Sequence, residues 1–305
     1  MDIYEFLESS KIEFSRNVPL STLINFRLGG NANIVCFPNS TAKLTRLLKF
    51  ISTEKLKFYI IGNGTNLIAS DDGFDGIVIK LCPNMNGYKI TGSKVYAEAG
   101  LNLFDFNRLL AKHNLKGMEF SFGIPGSIGG AVSMNAGAYG HTVSEFIESV
   151  KVFDGKKIRT LKVADLNYSH RSSAVFDNQL VVIGATFVLS QGKQKEIENQ
   201  MQFFMNLRKE RQPYLEPCAG SVFRRLDNGD LPVSKLIDDL GLKGTKDGDA
   251  EVSLKHAGFI VNKGKATCQN VLNLVEYIKE QVKSHYGYDL ELEIKILGDT
   301  NGIIW

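Results

Sequence analysis

Residues 117–140 place the strongest constraint on how this chain folds. The stretch reads GMEFSFGIPGSIGGAVSMNAGAYG and holds seven glycines but only one charged side chain, that of Glu119. Because glycine has no Cβ, such a backbone can approach another surface closely and can adopt left-handed conformations. Two uses remain open for the stretch by itself: backbones packed closely in a core, or a wall against a bound ligand.

A second glycine turn precedes this stretch, within FYIIGNGTNLIAS at residues 58–70. A β-type run enters the turn and another leaves it, so consecutive N–H groups can gather around a phosphate. A Rossmann fingerprint would need glycine at Leu67 and a following helix. A P-loop would need a GK[ST] ending, which GNGTNL lacks, and NKGKAT at 262–267 lacks the earlier glycine. An ordinary hairpin turn is the alternative.

The two glycine-rich segments lie about 60 residues apart, and both are nearly free of charge. Two such backbone surfaces can hold one extended ligand, with a pyrophosphate bound by neutral N–H donors. Small residues along 126–133 would let a flat ring system approach the main chain. The pair therefore favours a bound dinucleotide over either segment's structural alternative.

Composition limits the class of protein. A chain of 305 residues with 43% apolar content can bury the cores of two domains. Its longest apolar runs, such as LVVIGATFVL at 180–189, fall short of the roughly 20 residues that a membrane span requires. The net charge of +3 gives no argument for nucleic acid, and the four cysteines form no CxxC pair. We expect a cytoplasmic protein without membrane insertion, nucleic-acid partner, metal site or disulfide.

Periodicity indicates a chain of mixed helices and strands, of class α+β or α/β. The polar stretch 190–200 opens a helix that runs towards Arg211 and ends before Pro213, and we place the domain boundary there. Apolar residues 271, 274, 275, 278 and 282 then predict a helix ended by Gly287, and DLELEIKIL predicts a strand. In that strand, Glu291, Glu293 and Lys295 would share one face.

The order of several motifs resembles that of the UDP-N-acetylenolpyruvoylglucosamine reductase family. Besides the two glycine segments, the motifs are NFRLGGNA at 25–32, YSHRSS at 168–173, RQPYLEPCAGSVFRR at 211–225, KHAGFIVNKGKAT at 255–267 and YGYDLELEI at 286–294. The likeness covers nearly the whole chain. It implies an α+β fold with an FAD-binding region of two subdomains, similar to the vanillyl-alcohol oxidase type, and a C-terminal α/β substrate-binding domain. The expected limits are 1–192, divided into about 1–55 and 56–192, and 193–305.

The resemblance also implies an activity. The family reduces the enolpyruvyl ether of UDP-N-acetylglucosamine enolpyruvate to a lactyl ether in peptidoglycan precursor synthesis, with NADPH as co-substrate and non-covalent FAD as relay. The sequence itself holds no motif for NADPH. The expected FAD contacts are Gly62, Asn63, Gly64, Thr65, Asn66, Leu67, Gly123, Ile124, Pro125, Ser127, Gly130, Ala131, Asn135 and Gly137.

Three residues match the family's catalytic positions. Ser221 corresponds to the proton donor, Arg171 to the arginine that supports developing negative charge, and Glu293 to the third catalytic group. The chain departs from the pattern at His170, where the family commonly has tyrosine. Either the histidine fills the same space with a polar ring, or the local contacts to substrate are rebuilt. A packing or surface histidine with no catalytic duty is the further alternative.

The resemblance also implies three contacts to the substrate. Arg211 and Arg225 match positions that can hold the diphosphate, and His256 falls where the family contacts the enolpyruvyl group. Only 49 residues separate Arg171 from Ser221, which is typical of the shorter subtype without an extra tyrosine loop. We expect a monomer, although the sequence does not give the oligomeric state.

Two other functions remain open. A related FAD oxidase that uses molecular oxygen would share the N-terminal fold, and His141 is then the candidate for covalent flavin attachment. A non-catalytic flavin-binding sensor is the second alternative. Such a sensor has no need for Arg171, Ser221 and Glu293 in an attached domain.

Overall fold

Helices and strands alternate along the chain, as the mixed pattern predicts. The computed structural model describes residues 2–226 and 231–298, together with the backbone of Gly302–Ile303. Its described helices are α1 (Ile3–Ser9), α2 (Thr41–Thr53), α3 (Leu103–Lys112), α4 (Ile128–Ser133), α5 (Ala174–Asp177), α6 (Gln194–Arg211), α7 (Val233–Asp239) and α8 (Cys268–Tyr286). Short 3₁₀ turns occupy Leu20–Thr22, Glu119–Ser121, Val143–Glu145 and Val163–Asp165.

The first sheet organises the molecule. Its strands, in spatial order, are β1 (Glu13–Pro19), β2 (Asn31–Phe37), β5 (Phe74–Lys80), β3 (Phe58–Ile61) and β20 (Gly302–Ile303). β1 pairs antiparallel with β2, and the remaining pairs are parallel. The glycine turn of residues 62–66 therefore leaves the sheet at the end of β3 and leads into β4 (Leu67–Ala69), as the sequence predicts.

Strands β3 and β5 of this sheet are buried on both faces over most of their length, whereas β1 is largely exposed. Alternate residues of a strand point to opposite faces, and Ile34 and Ile77 pack into the N-terminal core while Val35 and Val78 pack into a second core. That second core also contains Val271 and other residues of α8. The runs IVI at 77–79 and FYII at 58–61 are continuously apolar because neither face of the sheet meets water there.

A second, antiparallel sheet follows. Its strands, in spatial order, are β12 (Ile158–Lys162), β11 (Ile147–Phe153), β13 (Val181–Val188), β7 (Lys94–Glu98) and β6 (Tyr88–Thr91). Short ladders join β8 (Leu115–Lys116) to β14 (Ser190–Gln191) and β9 (Gly137–Ala138) to β10 (His141–Thr142). The helix α4 packs against β13, so the long glycine segment lies between this sheet and the C-terminal part of the chain.

The C-terminal part carries its own antiparallel sheet. Its strands, in spatial order, are β15 (Cys218–Ser221), β18 (Phe259–Asn262), β17 (Ala250–Val252) and β16 (Lys246–Asp247). The predicted helix before Pro213 is confirmed as α6. The second predicted helix is confirmed as α8, which ends at Gly287 with a φ of 77°.

The predicted strand 289–297 is wrong in its extent. Only β19 (Lys295–Leu297) is a strand, and it pairs with β4. The preceding residues follow the loop after β15 instead, since the N–H of Glu293 donates to the Val222 carbonyl at 2.8 Å. The predicted alternation also fails at the end of the segment, where Ile296 is 39% exposed and Leu297 is buried.

The domain limits stay predictions, and three sets of contacts join residues on opposite sides of the predicted limits. The first sheet pairs strands from both sides of residue 55. The helix α6 packs against α3 of the N-terminal region, and β20 returns from the C-terminus to β3.

Within the described ranges, the four cysteines are free and buried, and we find no helix of sufficient length and apolarity to cross a bilayer.

Candidate active site

The two glycine segments meet at a cavity of about 520 Å³. The Asn63 side-chain amide donates to the Pro125 carbonyl at 2.5 Å, which ties one segment to the other. A Cβ added at Gly62 would lie 2.3 Å from Ser127 Oγ, so the absence of a side chain permits this approach. Gly64 has a φ of 74° and lies against the Leu23 carbonyl, which explains the second glycine of the turn.

Most of the predicted FAD contacts line this cavity. They are Asn63, Thr65, Asn66, Gly123, Ile124, Pro125, Ser127, Gly130, Ala131 and Gly137. Gly62, Gly64 and Leu67 stand behind the lining rather than in it. Asn135 is buried, donates to the Ser169 carbonyl at 3.1 Å and accepts from the Ser144 N–H, so it holds loops together.

Arg171 lies at the tip of a tight loop with a φ of 56°. A positive φ is costly for a residue with a branched or long side chain and persists where the surroundings impose it. Here the loop is fixed by the bond from Asn135 and by Ser173 Oγ, which donates to the Ser133 carbonyl at 2.6 Å. The glycine segment thus positions the arginine.

Arg171 and Glu293 form an ion pair at the end of the cavity. Arg171 Nε lies 2.7 Å from Glu293 Oε1, and the side chains are 25% and 12% exposed. The Asn66 side chain donates to the Glu293 backbone carbonyl at 3.3 Å, which links the main chain of Glu293 to the first glycine turn. Ser221 ends β15 and lines the same cavity. The three predicted catalytic residues therefore lie together.

A smaller cavity of about 180 Å³ opens on the other side of these residues. It shares Arg171, Ser221 and Glu293 with the main cavity, and its wall also includes His170, Arg225 and His256. Arg211, by contrast, is exposed at the end of α6 and lines neither cavity. Two of the three predicted substrate residues, Arg225 and His256, thus line the same cavity as the three predicted catalytic residues.

Burial shapes the titration of the two histidines here. It lowers the pKa of His170, and the charge of Arg171 acts in the same direction. It also lowers the pKa of His256, whose Nδ1 accepts a hydrogen bond from the Gly258 N–H at 3.1 Å. Both rings are favoured in their neutral form, so the positive charge of this cavity comes from its arginines.

The structure adds residues that sequence reasoning did not select. Tyr139, Arg208, Gln212 and Tyr214 all line the main cavity. A signal for Arg208 exists in the sequence: buried positions 197, 201 and 205 of α6 recur at helical spacing, and the next positions on that face are 208 and 212. Arg211 lies off this stripe, although it is the first residue of the motif at 211–225.

His141 lies outside the cavity lining. The side chain is half exposed, and its Nδ1 lies 2.9 Å from Glu145 Oε2. This placement gives no support to a covalent flavin link at His141.

Two family models match most of the chain. Residues 32–160 match an FAD binding domain, and residues 212–297 match the C-terminal domain of UDP-N-acetylenolpyruvoylglucosamine reductase. The first match contains both glycine segments and the second contains Ser221, His256 and Glu293. Fold and cavity therefore define an FAD-binding protein with an attached second domain.

Full-length similarity gives the particular family. The UDP-N-acetylenolpyruvoylglucosamine reductase of Clostridium novyi is 41% identical over 99% of this chain and 98% of its own length. That of Caldanaerobacter subterraneus is 40% identical over 97% and 96%. The crystal structure of the Thermus caldophilus reductase matches with a TM-score of 0.78 at 30% identity, over 94% of this chain and 98% of that one. The chain belongs to the UDP-N-acetylenolpyruvoylglucosamine reductase family, and the resemblance predicted from the motifs is confirmed.

Proposed function

We propose that this protein reduces UDP-N-acetylglucosamine enolpyruvate to UDP-N-acetylmuramate in peptidoglycan precursor synthesis, with FAD as cofactor and NADPH as electron source. The single observation that carries the proposal is the position of Arg171, Ser221 and Glu293. They stand between a large cavity walled by the glycine segments and a smaller one lined by His256 and Arg225. Cofactor and substrate can thus meet at these three groups.

The main cavity fits FAD in shape and charge. Its glycine-segment walls carry mostly small side chains and no carboxylate, and Gly126, Gly130, Ala131 and Gly137 leave room for a flat ring. An adjoining cavity of about 530 Å³ shares Asn63, Thr65 and Pro125 with it, which gives an extended dinucleotide further space. We assign the phosphates to the 62–66 turn and the ring to the end beside Arg171. FAD supplies the transfer of hydride between NADPH and substrate.

The chain's own groups manage charge and protons. Delivery of hydride to the vinyl carbon leaves an enolate-like centre at the carbon that bears the carboxylate. The guanidinium of Arg171 can bind that carboxylate in a planar, two-point arrangement and stabilise the developing charge. Glu293 fixes the guanidinium through the 2.7 Å contact.

Ser221 is the proposed proton donor to the enolate carbon. A hydroxyl is a weak acid, so it depends on neighbouring positive charge and hydrogen bonds to stabilise the remaining alkoxide. Gly220 precedes it with a φ of 81°, and no atom lies within 4 Å of the Cβ position, so the backbone beside the serine is open to the cavity. This opening leaves room for a substrate against Ser221.

The smaller cavity is assigned to the enolpyruvyl end of the substrate. His256 packs edge-on against Phe259 with ring centroids 4.9 Å apart, so the ring stands at a fixed angle in the wall. Arg225 supplies positive charge at the exposed rim, where a diphosphate can approach. Arg211 stands outside both cavities, which weakens its assignment to the diphosphate.

A Ser221→Ala variant tests the role of the serine. Flavin reduction by NADPH should stay near the wild-type rate, while reoxidation by the enolpyruvyl substrate should slow by on the order of 100-fold, because only the second step needs the proton. Anaerobic stopped-flow absorbance separates the two steps. Equal slowing of both would remove Ser221 from this role.

The same instrument tests the function itself. Wild-type enzyme reduced by NADPH should regain the oxidised flavin spectrum when UDP-N-acetylglucosamine enolpyruvate is added without oxygen. A spectrum that returns only when oxygen is admitted would favour the oxidase. Acid precipitation should leave all FAD in the supernatant, and flavin retained on the chain would contradict the non-covalent assignment.

The proposal also covers the cellular location and the oligomeric state of the protein. We assign the protein to the cytoplasm, where NADPH and UDP-sugars are available, and to a monomeric state. Cell fractionation checks the first assignment and analytical ultracentrifugation the second. A sedimentation mass near twice 33.8 kDa would contradict the monomer.

A further inference from the structure

Arg208 is a buried cation without an acidic partner among the described residues. Its side chain leaves α6 towards the main cavity, and the residue is only 8% exposed. Nη1 donates to the Gln212 side-chain oxygen at 2.9 Å, while Nε is buried and has no hydrogen-bond partner in the described structure. Buried guanidinium groups are costly unless they are paired, so this one is arranged to receive a negative charge.

The charges of the cavity wall do not cancel. Arg171 is paired with Glu293, whereas the described lining offers no second carboxylate to Arg208. The partners that Arg208 does have are neutral: the Gln212 amide and the ring of Tyr139, whose centroid lies 5.8 Å from the guanidinium carbon. The positive charge of Arg208 is therefore available to a ligand bound in the cavity.

Arg208 stands at the catalytic end of the cavity. Arg171 Nη2 donates to the Gly137 carbonyl at 3.4 Å, and Tyr139, two residues further, lies under Arg208. Both arginines thus flank residues 137–139. Gly123 leaves space for the stem of Arg208, because a Cβ there would lie 3.3 Å from Arg208 Cδ and 3.0 Å from Met205 Cε.

We propose that Arg208 contacts the ring end of the bound flavin and stabilises the negative charge that the ring gains on reduction. A hydride carries two electrons and one proton, so its transfer from NADPH leaves NADP⁺ and adds one negative charge to the flavin. A preorganised cation in a buried site lowers the free energy of that charge without reorganisation. The inference rests on the proposed FAD function and assigns a residue that the motifs do not.

The test is the midpoint potential of bound FAD, measured by dye equilibration without NADPH or sugar substrate. Arg208→Met keeps the apolar stem and removes the charge. We expect reduced FAD to lose at least tenfold in affinity relative to oxidised FAD, which equals about 30 mV for a two-electron couple. Lys209→Met is the matched control, because Lys209 is the exposed neighbour on the same helix, and its potential should match the wild type.

Arg208→Gln gives a second neutral side chain if the methionine variant does not bind FAD, and the same fall in potential is expected. An unchanged potential in either FAD-loaded variant would overturn the proposal. Weaker binding of both flavin forms at constant potential would also overturn it and would assign Arg208 to the diphosphate. Because no sugar substrate is used, a wrong substrate assignment leaves this result unaffected.

Discussion

At the residue scale, the contact between Arg171 and Glu293 is the centre of the proposed chemistry. Arg171 adopts a backbone conformation that few arginines adopt, and its loop is held by hydrogen bonds to the glycine segment. The resemblance predicted both residues but not their contact. A sequence separation of 122 residues hides that contact from any local pattern.

Glu293→Gln should slow the substrate half-reaction. The amide keeps the shape of the carboxylate but loses its charge, so Arg171 is held less firmly, and reoxidation by substrate should slow by about 10- to 100-fold. Reduction by NADPH should change little. Glu291→Gln is the control, since that side chain is 77% exposed and two residues away. Stopped-flow rates equal to the wild type in the Glu293 variant would contradict the assignment.

The neutral ring of His256 predicts a pH dependence of stability. Burial lowers the pKa of this side chain, so the unfolded chain takes up the proton at a higher pH than the folded one. The stabilisation that the neutral His256 ring contributes is fully present above about pH 6.5, the ordinary pKa of histidine, and is lost as the pH falls below that value. Protonation would also remove the bond from the Gly258 N–H.

Urea unfolding at pH 7.5 and 5.5 measures this effect. His256→Asn should lose less stability between the two values than the wild type does. His285→Asn, at an exposed position on α8, should keep the wild-type difference. Equal losses in the wild type and the His256 variant would show that other groups cause the acid sensitivity.

At the scale of elements, the two glycine segments work as a pair. The sequence predicted that they face one ligand, and the structure places them in contact through Asn63 and Pro125. Their glycines are required for different reasons: close approach at Gly62 and a positive φ at Gly64. Local sequence shows that a segment is rich in glycine, but only its neighbours show which glycines are irreplaceable.

Gly62→Ala should therefore weaken the site. The new Cβ would lie 2.3 Å from Ser127 Oγ, which forces the segments apart and costs about 1–3 kcal/mol of unfolding free energy. FAD affinity should fall as well. Adding Ser127→Ala removes the clashing oxygen and should recover part of both losses. Thermal unfolding and flavin fluorescence titration check the outcome, and no recovery in the double variant would point to another cause.

The segment 289–297 shows where pattern reasoning failed at this scale. DLELEIKIL alternates well enough to predict a long strand, yet only Lys295–Leu297 pairs as one, with β4. The residues before it pair instead with the loop after Ser221. Alternation describes the side chains of a segment, whereas the available partner strand decides its length.

At the scale of the whole molecule, the C-terminal part is tied to the first sheet by polar contacts. Asn262 donates to the Phe26 carbonyl at 3.0 Å, and Asn25 donates to the Cys218 carbonyl at 2.8 Å. Asp71 accepts from the first two N–H groups of α8, those of Cys268 and Gln269. The NFRLGGNA motif thus joins the region of the flavin cavity to the strand that ends at Ser221.

Asp71→Ala should destabilise this junction. Loss of a carboxylate at a helix N-terminus costs about 1–2 kcal/mol, because two N–H groups lose their acceptor and the helix dipole loses a favourable charge. Asp72→Ala is the control, since its carboxylate accepts no such bond from α8 in the described structure. Urea unfolding followed by circular dichroism gives both values. Equal effects of the two substitutions would contradict the capping role.

The sequence by itself determined the family, the α+β class, the two glycine segments, the helices α6 and α8, and the three residues at the proposed catalytic centre. These features depend on local spacing or on motifs with a fixed order. Tertiary structure alone decided that Arg171 pairs with Glu293 and that most of 289–297 is not a strand. Those outcomes depend on which distant segment lies opposite, and burial, charge pairing and strand pairing are set there rather than in the local sequence.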